Sequence, residues 1–399
     1  MANICLYLHA HQPFRLRKFS IFEIGGNVIN KNYFDDETNN KCLKRIILKS
    51  YIPTINLFKD LIKKTNKKFH LGLSVSGVLL EQIEKQNPEV IDLLKSLVNT
   101  GVCELIGETY YHSLASYFSE KEFRLQLNTH KKKLRKVFDF IPKTFRNTEL
   151  LYYNQLAPII LDMGYNGVLI EGADKILMGR SPNFVYSAKN YNELKLLTKN
   201  YRLSDDIAFR FSDSHWREYP LSPSKFLSWI KASLQEGKLE NQTINIFMDY
   251  ETFGEHQWRE TGIFDFFESF VLEAISQGFK FLTPGEVIQK NNSRTEELNI
   301  VDPLTWADTE RDLSAWIGND LQKDIAYRLY GLEKKVLASK NAYIINQWRR
   351  LQTSDHFYYV CTKWSNDGDV HKYFNPYDSP YDAYVNYMNI LRDLEFKLS

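Results

Sequence analysis

Short apolar runs of strand length recur along the first 290 residues, at 4–8, 69–75, 102–106, 143–146, 168–171, 207–211, 244–248 and 280–282. Between them lie segments whose apolar positions repeat at helical spacing. Phe123, Leu127, Leu134 and Val137 share one such face, and 264–275 forms another that stops at Gly278. This alternation predicts parallel strands joined by crossover helices. Seven or eight such units in one core suggest a closed or nearly closed β/α barrel rather than an open doubly wound sheet. No GxGxxG or GxxxxGK[ST] loop follows any of the runs, which weighs against a nucleotide fold.

The pattern changes near residue 290, where Lys290-Asn-Asn-Ser-Arg-Thr-Glu-Glu is polar and the remainder reads as mostly helical. The clearest helix starts at Ser379-Pro380-Tyr381-Asp382, with a capping serine, proline in the first turn and an acid facing the dipole. Val385, Met388, Leu391 and Leu394 form its expected apolar side. The reading is therefore a barrel over 1–290 and a helical C-terminal region over 291–399 packed on it, without internal repeats.

Composition narrows the partners. Lys+Arg 51 against Asp+Glu 49 leaves no strong field for nucleic acid or an anionic membrane, so a neutral substrate fits better. Aromatic residues make up 14% of the chain, and exposed rings are what sugar faces stack on. Cys5, Cys42, Cys103 and Cys361 are scattered without CxxC spacing, which points to neither a disulfide framework nor a zinc knuckle. The N-terminus lacks a signal-peptide pattern and no stretch reaches the length of a membrane span. A soluble, cytoplasmic protein is expected.

Reactive side chains of a β/α barrel sit at the C-terminal ends of strands. That rule selects His9-Ala-His11-Gln12-Pro13, Glu104, Arg146-Asn-Thr-Glu149 and Asp249-Tyr-Glu251-Thr-Phe-Gly254-Glu255-His256. Glu149 reads either as a catalytic carboxylate or as an acid complementing the dipole of a helix near Asn154. Asp249 follows an apolar strand, where desolvation is expected to raise its pKa, or else serves as a capping residue. Two facing carboxyls about 5–5.5 Å apart are what retaining glycoside hydrolysis requires. His9 and His11, alternate residues on a strand, fit hydrogen bonding to sugar hydroxyls or the start of a zinc site. His112, Trp216, Trp258 and His256 are weaker single candidates.

The segment His9-Ala-His11-Gln12-Pro13 resembles the opening motif of glycoside hydrolase family 57. Gly101-Val-Cys-Glu104-Leu-Ile-Gly107 resembles its second motif, Phe145-Arg146-Asn-Thr-Glu149 the third and Phe247-Met-Asp249-Tyr-Glu251-Thr-Phe253-Gly254 the fourth. Arg311-Asp312-Leu-Ser-Ala-Trp316-Ile-Gly-Asn319 is similar to the fifth region of the α-amylase branch, as are Lys363-Trp364, the 368–372 stretch and Asn375-Pro-Tyr.

The resemblance implies an incomplete (β/α)7 barrel with a C-terminal helical region and no obligatory metal or organic cofactor. It makes Glu149 the nucleophile and Asp249 the general acid/base for α-1,4-glucosidic bonds in starch- or glycogen-like glucans. His9, His11, Glu104 and Arg146 become substrate-binding candidates, with Trp258 and Trp316 as stacking platforms. Phe145 stands where other branches carry tryptophan. A 4-α-glucanotransferase would use the same pair. A metal-dependent barrel hydrolase such as a deacetylase, built on the two histidines and Asp249, and a silent glucan-binding homologue are the readings from other classes.

Overall fold

The computed structural model describes residues 1–26, 32–363 and 375–399. Trp364 and the 368–372 stretch that resemble the α-amylase branch lie outside the described residues. Among the described residues there are ten strands: β1 Asn3–Ala10, β2 Leu71–Val75, β3 Cys103–Leu105, β4 Thr144–Arg146, β5 Gly167–Glu171, β6 Val185–Ala188, β7 Tyr191–Lys199, β8 Thr243–Asp249, β9 Lys280–Phe281 and β10 Glu297–Leu298. All eight residues of β1 are buried, because barrel strands are covered on both faces.

One sheet runs β3-β2-β1-β8 with β9 also on β1, and the other runs β10-β6-β7-β5-β4. They meet at two seams. Gly107 bridges Phe145 in parallel, through Gly107 N–H to Thr144 O at 2.9 Å and Arg146 N–H to Gly107 O at 2.8 Å. At the other seam Asn200 N–H donates to Asn245 O at 2.9 Å, and the Asn245 side chain donates to Thr198 O at 2.9 Å. The ring β1, β2, β3, β4, β5, β7, β8 is thus a seven-stranded parallel barrel that no continuous ladder closes.

Two expectations need correction. The run 207–211 is no strand, since the helix Tyr201–Ala208 covers its start, capped by Asn200 and burying Leu203 and Ile207 one turn apart. The barrel position it was assigned belongs to β7. Lys195 and Lys199 break the apolar run of that strand and hide it from a hydropathy reading. The second correction is Val385, which is 54% exposed, while Met388, Leu391 and Leu394 of the same helix, Pro380–Lys397, are buried. Ser379 caps that helix through Asp382 N–H, as the sequence suggested.

Beyond residue 290 the chain is not helical at once. β10 joins the second sheet beside β6, and Leu304 bridges Tyr152. The helices that follow share one core with the barrel, in which Trp316, Trp348 and Tyr387 pack together with Phe145 and Val168. Among the described residues no helix is long and apolar enough to cross a membrane.

Candidate active site

The register of β1 on β8 sets His9 opposite Asp249, at the C-terminal ends of both strands. His9 Nδ1 is 3.7 Å from Asp249 Oδ1, and His9 Nε2 is 3.2 Å from Glu108 Oε2. Glu108 follows the Gly107 bridge and is fully buried. His112, one turn on, faces Glu108 through Nδ1 at 3.7 Å and Glu149 through Nε2 at 2.9 Å. His9, His11, His112, Glu149, Asp249 and Trp306 line one pocket, with Lys199 and Asp355 on its walls.

Glu149 is held at both ends of its carboxylate. Oε1 accepts from His112, and Oε2 accepts from the Trp306 indole N–H at 2.6 Å. Its backbone is left-handed, φ 57°, as is that of Leu150 at φ 55°. Asn147 caps the short turn through Thr148 N–H, and Trp306 N–H binds the Glu149 carbonyl at 3.1 Å. His112, Asp308 and Arg311 are also left-handed, at φ 51°, 52° and 53°. Such backbone costs on the order of 1–3 kcal/mol per residue and persists where surrounding contacts over-determine it.

The three histidines stack, with ring centroids 4.0 Å apart for His11 and His112 and 4.9 Å for His9 and His112. Burial works against charge on His112, but its bonds to Glu108 and Glu149 outweigh that and lift its pKa to about 9. His11 is pushed down to about 4 by burial and by His112, although Asp355 accepts from it at 3.0 Å. The centre of the stack is therefore an imidazolium beside a neutral ring.

Asp249 departs from expectation. Burial does favour its neutral form, but the contact with His9 and the electrostatic pull of His256, His9 and Arg146 win and bring it to about 2. Glu251, two residues on, is driven the other way. Burial and the Asp249 charge raise it to about 8, and it accepts from Tyr51 Oη at 2.5 Å.

Two groups, His9/Glu108/His112 and His11/His112/Asp355, bring potential metal-ligand atoms within 4.8 Å of one another. His112 belongs to both, and its two nitrogens face carboxylates with which they are already engaged.

Glu104 and both tryptophans fall outside the pocket. Glu104 lies mid-strand on β3 and accepts from Thr144 Oγ1 at 2.8 Å and Gly285 N–H at 2.5 Å, so it ties β3 to β4 and to the helix Pro284–Lys290. Trp316 is fully buried in the shared core, where no sugar can reach it, and Trp258 is 54% exposed beside Lys49. Arg146 is fully buried, with its guanidinium 5.0 Å from the Trp306 ring centre. Phe145 is likewise core, packed on Tyr165 and Phe123.

Sequence reasoning missed Glu108, Trp306, Lys199 and Asp355, and treated His112 as a minor candidate. The rule that function sits at strand ends could have found Glu108, four residues past Glu104, had the end of β3 been placed correctly. Trp306 and Asp355 carry no local signal, because they reach the pocket from 157 and 344 positions along the chain from Glu149 and His11.

The sequence model described as Glycosyl hydrolase family 57 matches residues 5–301. The chain is 40% identical over 406 aligned positions to the "Putative alpha-amylase" of Methanocaldococcus jannaschii, spanning 98% of this chain and 84% of that protein. Its fold is similar to that of a family 57 branching enzyme from Pyrococcus horikoshii, with TM-score 0.73 at 14% identity, covering 94% of this chain and 87% of the other. It is also similar to a 4-alpha-glucanotransferase from Thermococcus litoralis, with TM-score 0.66 at 16% identity, covering 90% of this chain but only 56% of that one.

Proposed function

The chain belongs to glycosyl hydrolase family 57, and on that premise we propose that it cleaves α-1,4-glucosidic bonds in starch- or glycogen-like glucans with retention. Glu149 is the nucleophile in this reading, and Asp249 the general acid/base. The observation that carries it is the treatment of Glu149: a carboxylate in a pocket, fixed by an imidazolium and an indole N–H, with Asp249 lining the same pocket. A nucleophile must be ionised and aimed, and these two donors do both.

Asp249 protonates the glycosidic oxygen as Glu149 attacks the anomeric carbon, and then takes a proton from water as the glycosyl-enzyme hydrolyses. Its carboxylate starts ionised in the free pocket. A bound sugar covers a side chain that is 38% exposed, and the added desolvation moves it toward the protonated form. His9 and His11 line the reactive end and offer nitrogens to sugar hydroxyls.

The same pair serves transfer to a sugar acceptor as well as to water. Incubation with one pure maltooligosaccharide tests the proposal. Products shorter than the substrate alone mean hydrolysis, a ladder including longer chains means transferase activity, and no α-glucan product of either kind defeats the reading.

A further inference from the structure

Four charged side chains meet behind the Trp306 wall of the pocket, and the catalytic scheme above leaves them without a role. Glu171 ends β5, Lys199 ends β7, Asp205 lies in the helix Tyr201–Ala208, and Arg311 follows Trp306 by five residues. Lys199 Nζ is 2.9 Å from Asp205 Oδ1 and 3.8 Å from Glu171 Oε2. Arg311 spans the same acids, with one amine 3.2 Å from Glu171 Oε2 and the other 3.4 Å from Asp205 Oδ2. Their side chains are at most 16% exposed, so the two positive and two negative charges compensate one another away from bulk water.

The cluster reaches Trp306 from two sides. Arg311 donates to the Trp306 carbonyl with the same amine that binds Glu171, and the Lys199 ammonium lies 5.3 Å from the indole ring centre. The loop between them is closed by Thr305 N–H to Arg311 O at 3.2 Å, and Arg311 is itself held in left-handed backbone. Strand ends of the barrel are thereby clamped to a loop that arrives from beyond residue 300. What that loop delivers is the N–H on Glu149 Oε2.

The geometry points to Glu171, Lys199, Asp205 and Arg311 as positioning residues that hold the Trp306 indole N–H against the Glu149 carboxylate. The inference rests on Glu149 being the nucleophile. Trp306 contacts the reacting group directly; Glu171, Asp205 and Arg311 act only through Trp306, whereas Lys199 also lines the pocket. A planar fork is needed at position 311, because one guanidinium serves two carboxylates and a carbonyl at once. Lysine keeps the charge but cannot reach all three.

Steady-state kinetics of the full chain on a maltooligosaccharide test this, with folding followed by thermal melting. Trp306→Phe should lower kcat by about 10- to 100-fold with KM nearly unchanged, the size of a lost hydrogen bond to a charged group. The acidic limb of its kcat/KM profile should move to higher pH, which a loss of packing alone would not cause. Arg311→Lys should lower kcat about 10-fold in the wild-type background and have almost no further effect in the Trp306→Phe background. Asp205→Asn, which changes charge with little change in volume, should show the same dependence on Trp306. If either loss multiplies with that of Trp306→Phe, the cluster does not act through the indole and the proposal fails. Wild-type kcat in Trp306→Phe also overturns it. Glu149→Gln separates the two levels: full activity in that variant removes the nucleophile assignment and this inference with it, whereas an inactive Glu149→Gln with multiplying losses overturns this inference alone.

Discussion

His112 Nε2 lies 2.9 Å from Glu149 Oε1, and the histidine that makes this bond is buried yet charged. Its pKa rises from 6.5 to about 9 on folding, so its contribution to stability is complete below about pH 6.5 and is lost as the pH climbs through about 9. The wild-type melting temperature should therefore fall between those pH values more steeply than that of His112→Gln. The variant should also lose about 10- to 100-fold in kcat, because Glu149 loses a charged donor. Parallel melting curves for the two proteins would remove the imidazolium from the scheme.

Asp249 predicts a separation of pH profiles. In the free enzyme burial is outweighed by His9, His256 and Arg146, and its pKa falls from 3.8 to about 2. The stability it contributes is present above about 3.8 and is lost as pH drops through about 2. Sugar binding desolvates it, so the basic limb of kcat should lie at higher pH than that of kcat/KM. His9→Gln should shift the kcat/KM limb upward. Coincident limbs in the wild type would contradict the proposed proton loading.

The carboxylate roles can be separated by the leaving group, since fluoride departs without protonation. Asp249→Asn, nearly inactive on glucan, should still accumulate a glucosyl adduct from an α-glucosyl fluoride, visible in the intact-protein mass. Glu149→Gln should form none. The reverse pattern would exchange the two assignments.

Exhaustive chelation should leave activity intact, because protonation by Asp249 and attack by Glu149 use no cation. Activity lost to a chelator and restored by zinc would favour the metallohydrolase reading instead.

Three residues with sequence signals should affect stability or nothing, without touching catalysis. Trp316→Ala should cost about 3–5 kcal/mol in a urea titration, as an emptied core site does. Trp258→Ala, at an exposed position outside the pocket lining, should stay within about 0.5 kcal/mol and leave KM unchanged. Glu104→Leu should lose about 1–3 kcal/mol, since it leaves Gly285 N–H and the Thr144 hydroxyl without their acceptor, with kcat unaltered.

Local patterning determined what local patterning can encode. Buried parallel strands read as apolar runs, and so β1, β2, β8 and the barrel class were legible; the motifs around His9, Glu149 and Asp249 were legible because each is contiguous in the chain. β7 was not, because Lys195 and Lys199 interrupt it, and the reason for Lys199 lies in Asp205 and Glu171 on other elements. Which tryptophan serves the pocket was equally hidden. Trp316, Trp258 and Trp306 look alike in sequence, and only long-range packing buries the first, exposes the second and turns the third onto Glu149. The protonation states follow the same division. Desolvation of Asp249 could be foreseen from the strand that carries it, but the sign of its shift was decided by His9, His256 and Arg146, which strand register and loop closure bring to its side. Electrostatic energy depends on distance through space, and distance between residues far apart in the chain exists only once the fold has formed.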